Sequence, residues 1–250
     1  MINLIRAEFL KLRTTQVWFW LLLASIAVSA LIVVAAYASH HGVQNSQDVA
    51  DVFGSASTSD IAVFILGILG VTTEFRYQTI TPTVLATPSR WAIVTAKMIT
   101  YGLVGAAFSA ICVLVEVAIA VPWISSKHLS VGLGDGHIPH SLIGVFVVVA
   151  LYGIIGLGVG SLVKNQIVAV SVGLLFLLIL ENIVLAIPKV KNVYPFTPAG
   201  ASSAILTTNP TADFNGITLL STAGGVIVLL LWAIVPAVLG ASITMNRDIT

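Results

Sequence analysis

Six stretches of this 250-residue chain are each apolar over about the length of a membrane crossing, and that pattern limits the fold more than any single motif. An α-helix rises 1.5 Å per residue and the hydrocarbon core of a bilayer is ~30 Å thick, so a spanning helix needs about 20 mainly apolar residues. Residues 17–37, 53–73, 91–121, 141–163, 167–187 and 217–243 meet that requirement. Only 8% of the chain is Asp, Glu, Lys or Arg and 58% is hydrophobic, against about 25% charged residues in soluble domains. The expectation is an all-α integral membrane protein with six transmembrane helices in one domain over 1–250. A net charge of +1 offers no clustered basic face for nucleic acid.

The second span is the least uniform. Residues 61–73 are apolar, but Gly54, Ser55, Ser57, Thr58, Ser59 and Asp60 are small or polar. Such a surface suits protein or a wet cavity better than lipid. At the N-terminus, Arg6, Lys11 and Arg13 precede an apolar run, as in a signal peptide. The run is 21 residues long, whereas a signal h-region is about 7–15, so an uncleaved anchor is expected. Within residues 2–14, Ile2, Ile5, Phe9 and Leu12 recur at helical spacing among charged neighbours. That is the pattern of a helix lying in the membrane interface, with Ile5, Phe9 and Leu12 in its apolar stripe.

Orientation follows from Lys and Arg on the two sides. With both termini in the cytoplasm, Arg6, Lys11, Arg13, Arg76, Arg90, Lys97, Lys164 and Arg247 face inward, and Lys127, Lys189 and Lys191 face outward. Between the fifth and sixth spans, Thr197 can cap a helix with Pro198 at its first position. A short external helix is expected there.

Motifs for chemistry are lacking. No G-x-x-x-x-G-K-[ST], G-x-S-x-G or H-E-x-x-H occurs, so no nucleotide loop, catalytic residue or metal site is expected on this chain. Cys112 is alone and excludes an internal disulfide. Gly156 and Gly160 form a small-xxx-small pair that permits close helix packing. Asp60, Glu116 and Glu181 stand out because charge inside a membrane costs at least ~2.5–3.5 kcal/mol at a helix centre. Counting along the helices puts Asp60 roughly 21 Å from Glu74, Glu181 roughly 22 Å from Gln166 and Glu116 roughly 28 Å from Lys97. All three fall in the outer half, where they are candidates to line an acidic translocation cavity.

Residues 74–90 form a polar, charged block between the second and third spans, on the cytoplasmic side by the charge count. The run Gly70-Val71-Thr72-Thr73-Glu74-Phe75-Arg76-Tyr77-Gln78-Thr79-Ile80, followed by Pro88-Ser89-Arg90 and Ala96-Lys97, resembles the type-2 ABC exporter permeases. The opening Ile5-Arg6-Ala7-Glu8-Phe9-Leu10-Lys11-Leu12-Arg13 is similar to that family's amphipathic N-terminal helix. Gln78 departs from the pattern, since the family often has Gly there.

The resemblance implies a plasma-membrane subunit exporting a substrate by alternating access. It implies a second permease, as homodimer or heterodimer, and two copies of a separate ATP-binding subunit carrying ATP and Mg. Segment 74–90 would be the coupling helix, with Glu74, Arg76, Thr79, Ile80, Val84 and Arg90 as its coupling residues. Glu74 and Arg76 would offer charge to the partner, and Arg90 and Lys97 would also meet lipid head groups. Two alternatives are a non-transporting scaffold or immunity-type binding protein, and an ion-coupled transporter using Asp60, Glu116 or Glu181. The latter would show internal repeats, and none is evident.

Overall fold

The computed structural model describes residues 1–38, 46–79, 90–126, 137–163, 165–207, 213–214 and 216–246. Within them the chain is built from helices: α1 (Ile2–Thr14), α2 (Val17–Ala38), α3 (Ser46–Gly54), α4 (Ser59–Arg76), α5 (Arg90–Ser126) and α6 (His137–Leu162). These are followed by α7 (Gln166–Leu175), α8 (Glu181–Ala186), α9 (Pro198–Leu206) and α10 (Thr222–Asn246). The one strand pairing among the described residues is antiparallel, Asp213–Phe214 with Ile217–Thr218.

Six helical stretches are long and apolar enough to cross a membrane: Val17–Ala38, Asp48–Arg76, Trp91–Ser125, Ile138–Leu162, Gln166–Ala186 and Thr222–Gly240. The second differs from the sequence expectation by starting earlier. It is a composite in which α3 runs through a 3₁₀ turn, Ser55–Thr58, into α4. Ser55, Ser57 and Thr58, which help to weaken the sequence signal, fall in this turn, where Ser55 donates to Glu116 Oε1 at 2.9 Å.

Helix α6 is the spine. Val145, Val149 and Leu157 pack with α4 and α5, Val148, Leu151 and Ile155 pack toward α7, α9 and α10, and Ile138 joins α2, α3 and α5. The α4–α6 seam depends on glycine. A Cβ at Gly156 would overlap the Phe64 carbonyl oxygen, and one at Gly160 would stand 2.8 Å from the Ile68 oxygen. Neither position has room for a side chain, so the backbones approach closely.

The fifth span changes winding midway. Ala169, Gly173, Leu177 and Glu181 are buried at steps of four. In a regular helix of 3.6 residues per turn, three such steps drift by roughly 120°. A π turn at Phe176–Leu180 unwinds the helix enough to keep all four on one face, and so turns Glu181 inward. Glu181 Oε1 accepts from Ala199 N at 3.0 Å. Beside it Thr197 caps α9, its hydroxyl accepting from Gly200 N at 3.2 Å, with Pro198 at the first helical position.

Candidate functional site

The end of the bundle that carries α1 holds four charged side chains in one group. Glu8 comes from α1, Glu74 from the last turn of α4 and Lys97 from α5, and these three are 5%, 5% and 4% exposed. Lys11, one turn beyond Glu8, closes the group from the half-exposed side. Lys97 Nζ lies 2.7 Å from Glu8 Oε2 and 2.8 Å from Glu74 Oε1. Lys11 Nζ lies 2.7 Å from Glu8 Oε1 and 2.6 Å from Glu74 Oε1. Lys97 also donates to the Gly70 carbonyl at 3.1 Å.

Each carboxylate meets both ammoniums, so the group is neutral and closed. Partial burial works against the charged Lys11, but its hydrogen bonds and attraction to Glu74 and Glu8 prevail and raise its pKa above the ordinary 10.5. Gly70 lets Tyr101 lie against α4 beside the group, because a Cβ there would overlap the Tyr101 hydroxyl.

This geometry corrects two sequence expectations. Glu74 does not offer its charge outward, because its carboxylate is buried and matched within the chain. Lys97 does not reach for lipid head groups, because two carboxylates hold its ammonium inside the fold. Glu8 was missed as a site residue. It lies in the stripe Leu4, Ile5, Glu8 and Leu12 that turns toward the protein, while Phe9 is exposed. Two signals were available. Glu8 is the sole acidic residue before Asp48, and Lys97 lies inside an apolar run where an unmatched charge is costly.

Helix α4 ends two residues past Glu74, at Arg76. The Thr79 N–H bonds to the Glu74 carbonyl at 3.0 Å and the Gln78 N–H to the Phe75 carbonyl at 3.3 Å. Gln78 adopts φ +54°. These are the two bonds and the left-handed residue of a Schellman termination. Gln78 therefore stands where glycine is easiest, and it takes the left-handed conformation that glycine would take there. Arg76 and Tyr77 are exposed, and the Arg76 guanidinium lies over the Tyr77 ring at 5.6 Å. Ile80 and Val84 lie outside the described residues, as does the Arg90 side chain.

In the opposite half, Glu116 is 0% exposed and bonded to Ser55, and its Oε2 has no hydrogen-bond partner among the described residues. Glu181 accepts from the first turn of α9, beside which the Tyr152 hydroxyl accepts from Ser202 Oγ at 3.3 Å. Among the described residues, no three His, Cys, Asp or Glu side chains gather as a metal group.

Helices of this number and length define a multi-pass membrane protein. The model of the ABC-2 family transporter proteins matches residues 4–182, which takes in α1, the whole charge cluster and Glu181. The chain belongs to that family and is a type-2 ABC transporter permease, the membrane subunit of an ABC transporter. Members are membrane components that associate with an ABC ATP-binding subunit. No curated protein matches the sequence.

Proposed function

We propose that this chain is the membrane-spanning subunit of an ATP-driven exporter in the plasma membrane, with both termini in the cytoplasm. A second permease completes the pathway, and two ATP-binding subunits, holding ATP and Mg, dock on segment 74–90. The observation that carries this reading is the Glu8–Lys11–Glu74–Lys97 cluster. It ties the start of that segment to α1, α4 and α5 at once. A displacement imposed on the segment would therefore move three elements together instead of bending one loop.

In this reading Glu74 braces the segment from within, and Thr79, Ile80, Val84 and Arg90 provide the surface that the ATPase engages. ATP binding and hydrolysis would alternately draw the two permeases together and release them, opening the pathway to each side in turn. Asp60 and Glu181, in the half away from the charge cluster, are candidates to meet substrate.

The test is co-expression with candidate ABC ATP-binding subunits, followed by purification with the one that is retained and assay of ATP hydrolysis in proteoliposomes. Val84→Asp should lose the ATPase from the purified complex while leaving the melting temperature of the permease unchanged. Full retention of a working ATPase by that variant would sink the docking assignment.

A further inference from the structure

An amphiphilic cleft of about 310 Å³ opens beside the charge cluster, between α1, α4 and the start of α7. Its floor is apolar, formed by Leu12, Leu66 and Leu69, and its mouth carries Arg76, Tyr77 and Gln166. Leu66 to Arg76 is ten residues along α4, roughly 15 Å and so about half of a ~30 Å hydrocarbon core. The cleft has the depth of one leaflet.

Charge decides what fits the mouth. Glu8, Glu74 and Lys11 also line the cleft, but the two carboxylates are matched by Lys11 and Lys97. Arg76 is the cation left over, in no ion pair among the described residues. Its one side-chain hydrogen bond among the described residues is a long one, 3.4 Å from Nη1 to Gln166 Oε1. The same guanidinium borders a second cavity of about 510 Å³ with Asn165, Gln166 and Ile167, so it is approachable from two sides. A planar guanidinium with free donors is suited to binding phosphate oxygens bidentately. An apolar floor beneath it excludes a purely soluble anion as the best-fitting occupant.

We propose that this cleft binds one anionic phospholipid from the leaflet on the α1 side. The phosphate sits on Arg76, and acyl chain lies along Leu12, Leu66 and Leu69. The bound lipid fills the gap that the described residues leave between α1 and α7.

The test uses the full chain reconstituted with equal phosphatidylglycerol and phosphatidylcholine, with retained lipid counted by native mass spectrometry. Wild-type protein should keep phosphatidylglycerol in preference. Arg76→Gln should lower that retention about tenfold, the loss of one charge-assisted contact, and Arg76→Lys should lower it less. Arg6→Gln, removing an exposed arginine elsewhere on α1, should change nothing. Glycerol 3-phosphate, which carries the phosphate without chains, should not compete.

Equal retention by wild type and Arg76→Gln overturns the proposal, as does an equal fall with Arg6→Gln, which would mean diffuse surface charge. Effective competition by glycerol 3-phosphate would reduce the site to a simple anion site and also overturn it. The assignment is independent of ATPase docking, so Val84→Asp should leave lipid retention intact. If Arg76→Gln instead loses the ATPase and keeps the lipid, Arg76 belongs to the partner contact and the lipid site is wrong.

Discussion

The two halves of the membrane domain handle buried charge in opposite ways. At the α1 end, two carboxylates and two ammoniums form a closed group with each charge matched. In the other half, Glu116 and Glu181 are equally buried and, among the described residues, lean on a serine hydroxyl and a helix N-terminus instead of on a cation. The first arrangement locks elements together, because no member can leave without stranding an opposite charge. The second holds its carboxylates by hydrogen bonds to neutral groups, which can be exchanged for water or a ligand. A rigid base at the α1 end and a more adaptable opposite half would suit the proposed docking of an ATPase at the α1 end.

The sharpest break in the comparison is removal of a cation. Lys97→Met strands Glu8 and Glu74 with only half-exposed Lys11 between them. It should cost about 3–5 kcal/mol, the usual penalty for breaking a buried ion group, read as a lower melting temperature in detergent. Glu116→Gln strands no cation and keeps an acceptor for Ser55, so it should stay within about 1 kcal/mol. Equal losses for the two would erase the distinction. Between them falls Glu181→Ala, which leaves the Ala199 N–H without its acceptor. A loss of about 1–3 kcal/mol is expected, together with faster amide exchange confined to the first turn of α9, whereas Glu181→Gln should preserve most of the contact.

What the sequence disclosed follows the same division. Long apolar runs and a Thr-Pro helix start are local signals, so six spans and α9 were legible. The cluster was not, because it joins Glu8 to Lys97 across 89 positions and no local periodicity reports such a pairing. Lys97 was counted as one more basic flank, although a spanning helix that begins at Arg90 carries it roughly 10 Å inward. The partners of Glu116 and Glu181 were hidden too, because height along a helix says nothing about which face a residue takes. The π turn that directs Glu181 has no sequence signature that periodicity reveals.

A smaller effect probes the link between the locked base and the segment leaving it. Gln78 is held at φ +54°, a conformation that costs a residue with a Cβ about 1–2 kcal/mol. Gln78→Gly removes that strain but adds freedom to the unfolded chain. The net should be a gain of about 1 kcal/mol or less. If the variant is destabilised instead, Gln78 makes a side-chain contact that outweighs its backbone strain, and the base extends beyond Glu74.

The smallest effect separates the two cations of the cluster. Lys11 has 46% of its side chain exposed, against 5% for Lys97. Screening by water and salt therefore limits Lys11→Gln to less than about 1 kcal/mol. Its pKa in the fold lies above the ordinary 10.5, so its contribution is fully present below that value and disappears as pH rises through the higher folded value. Melting curves of wild type and Lys11→Gln should run parallel from neutral pH to about 10 and converge above it. Raising salt at neutral pH should narrow the same gap. A gap that survives both treatments would mean that Lys11 holds α1 through its methylene stem, packed beside Leu12, and that only Lys97 holds it through charge.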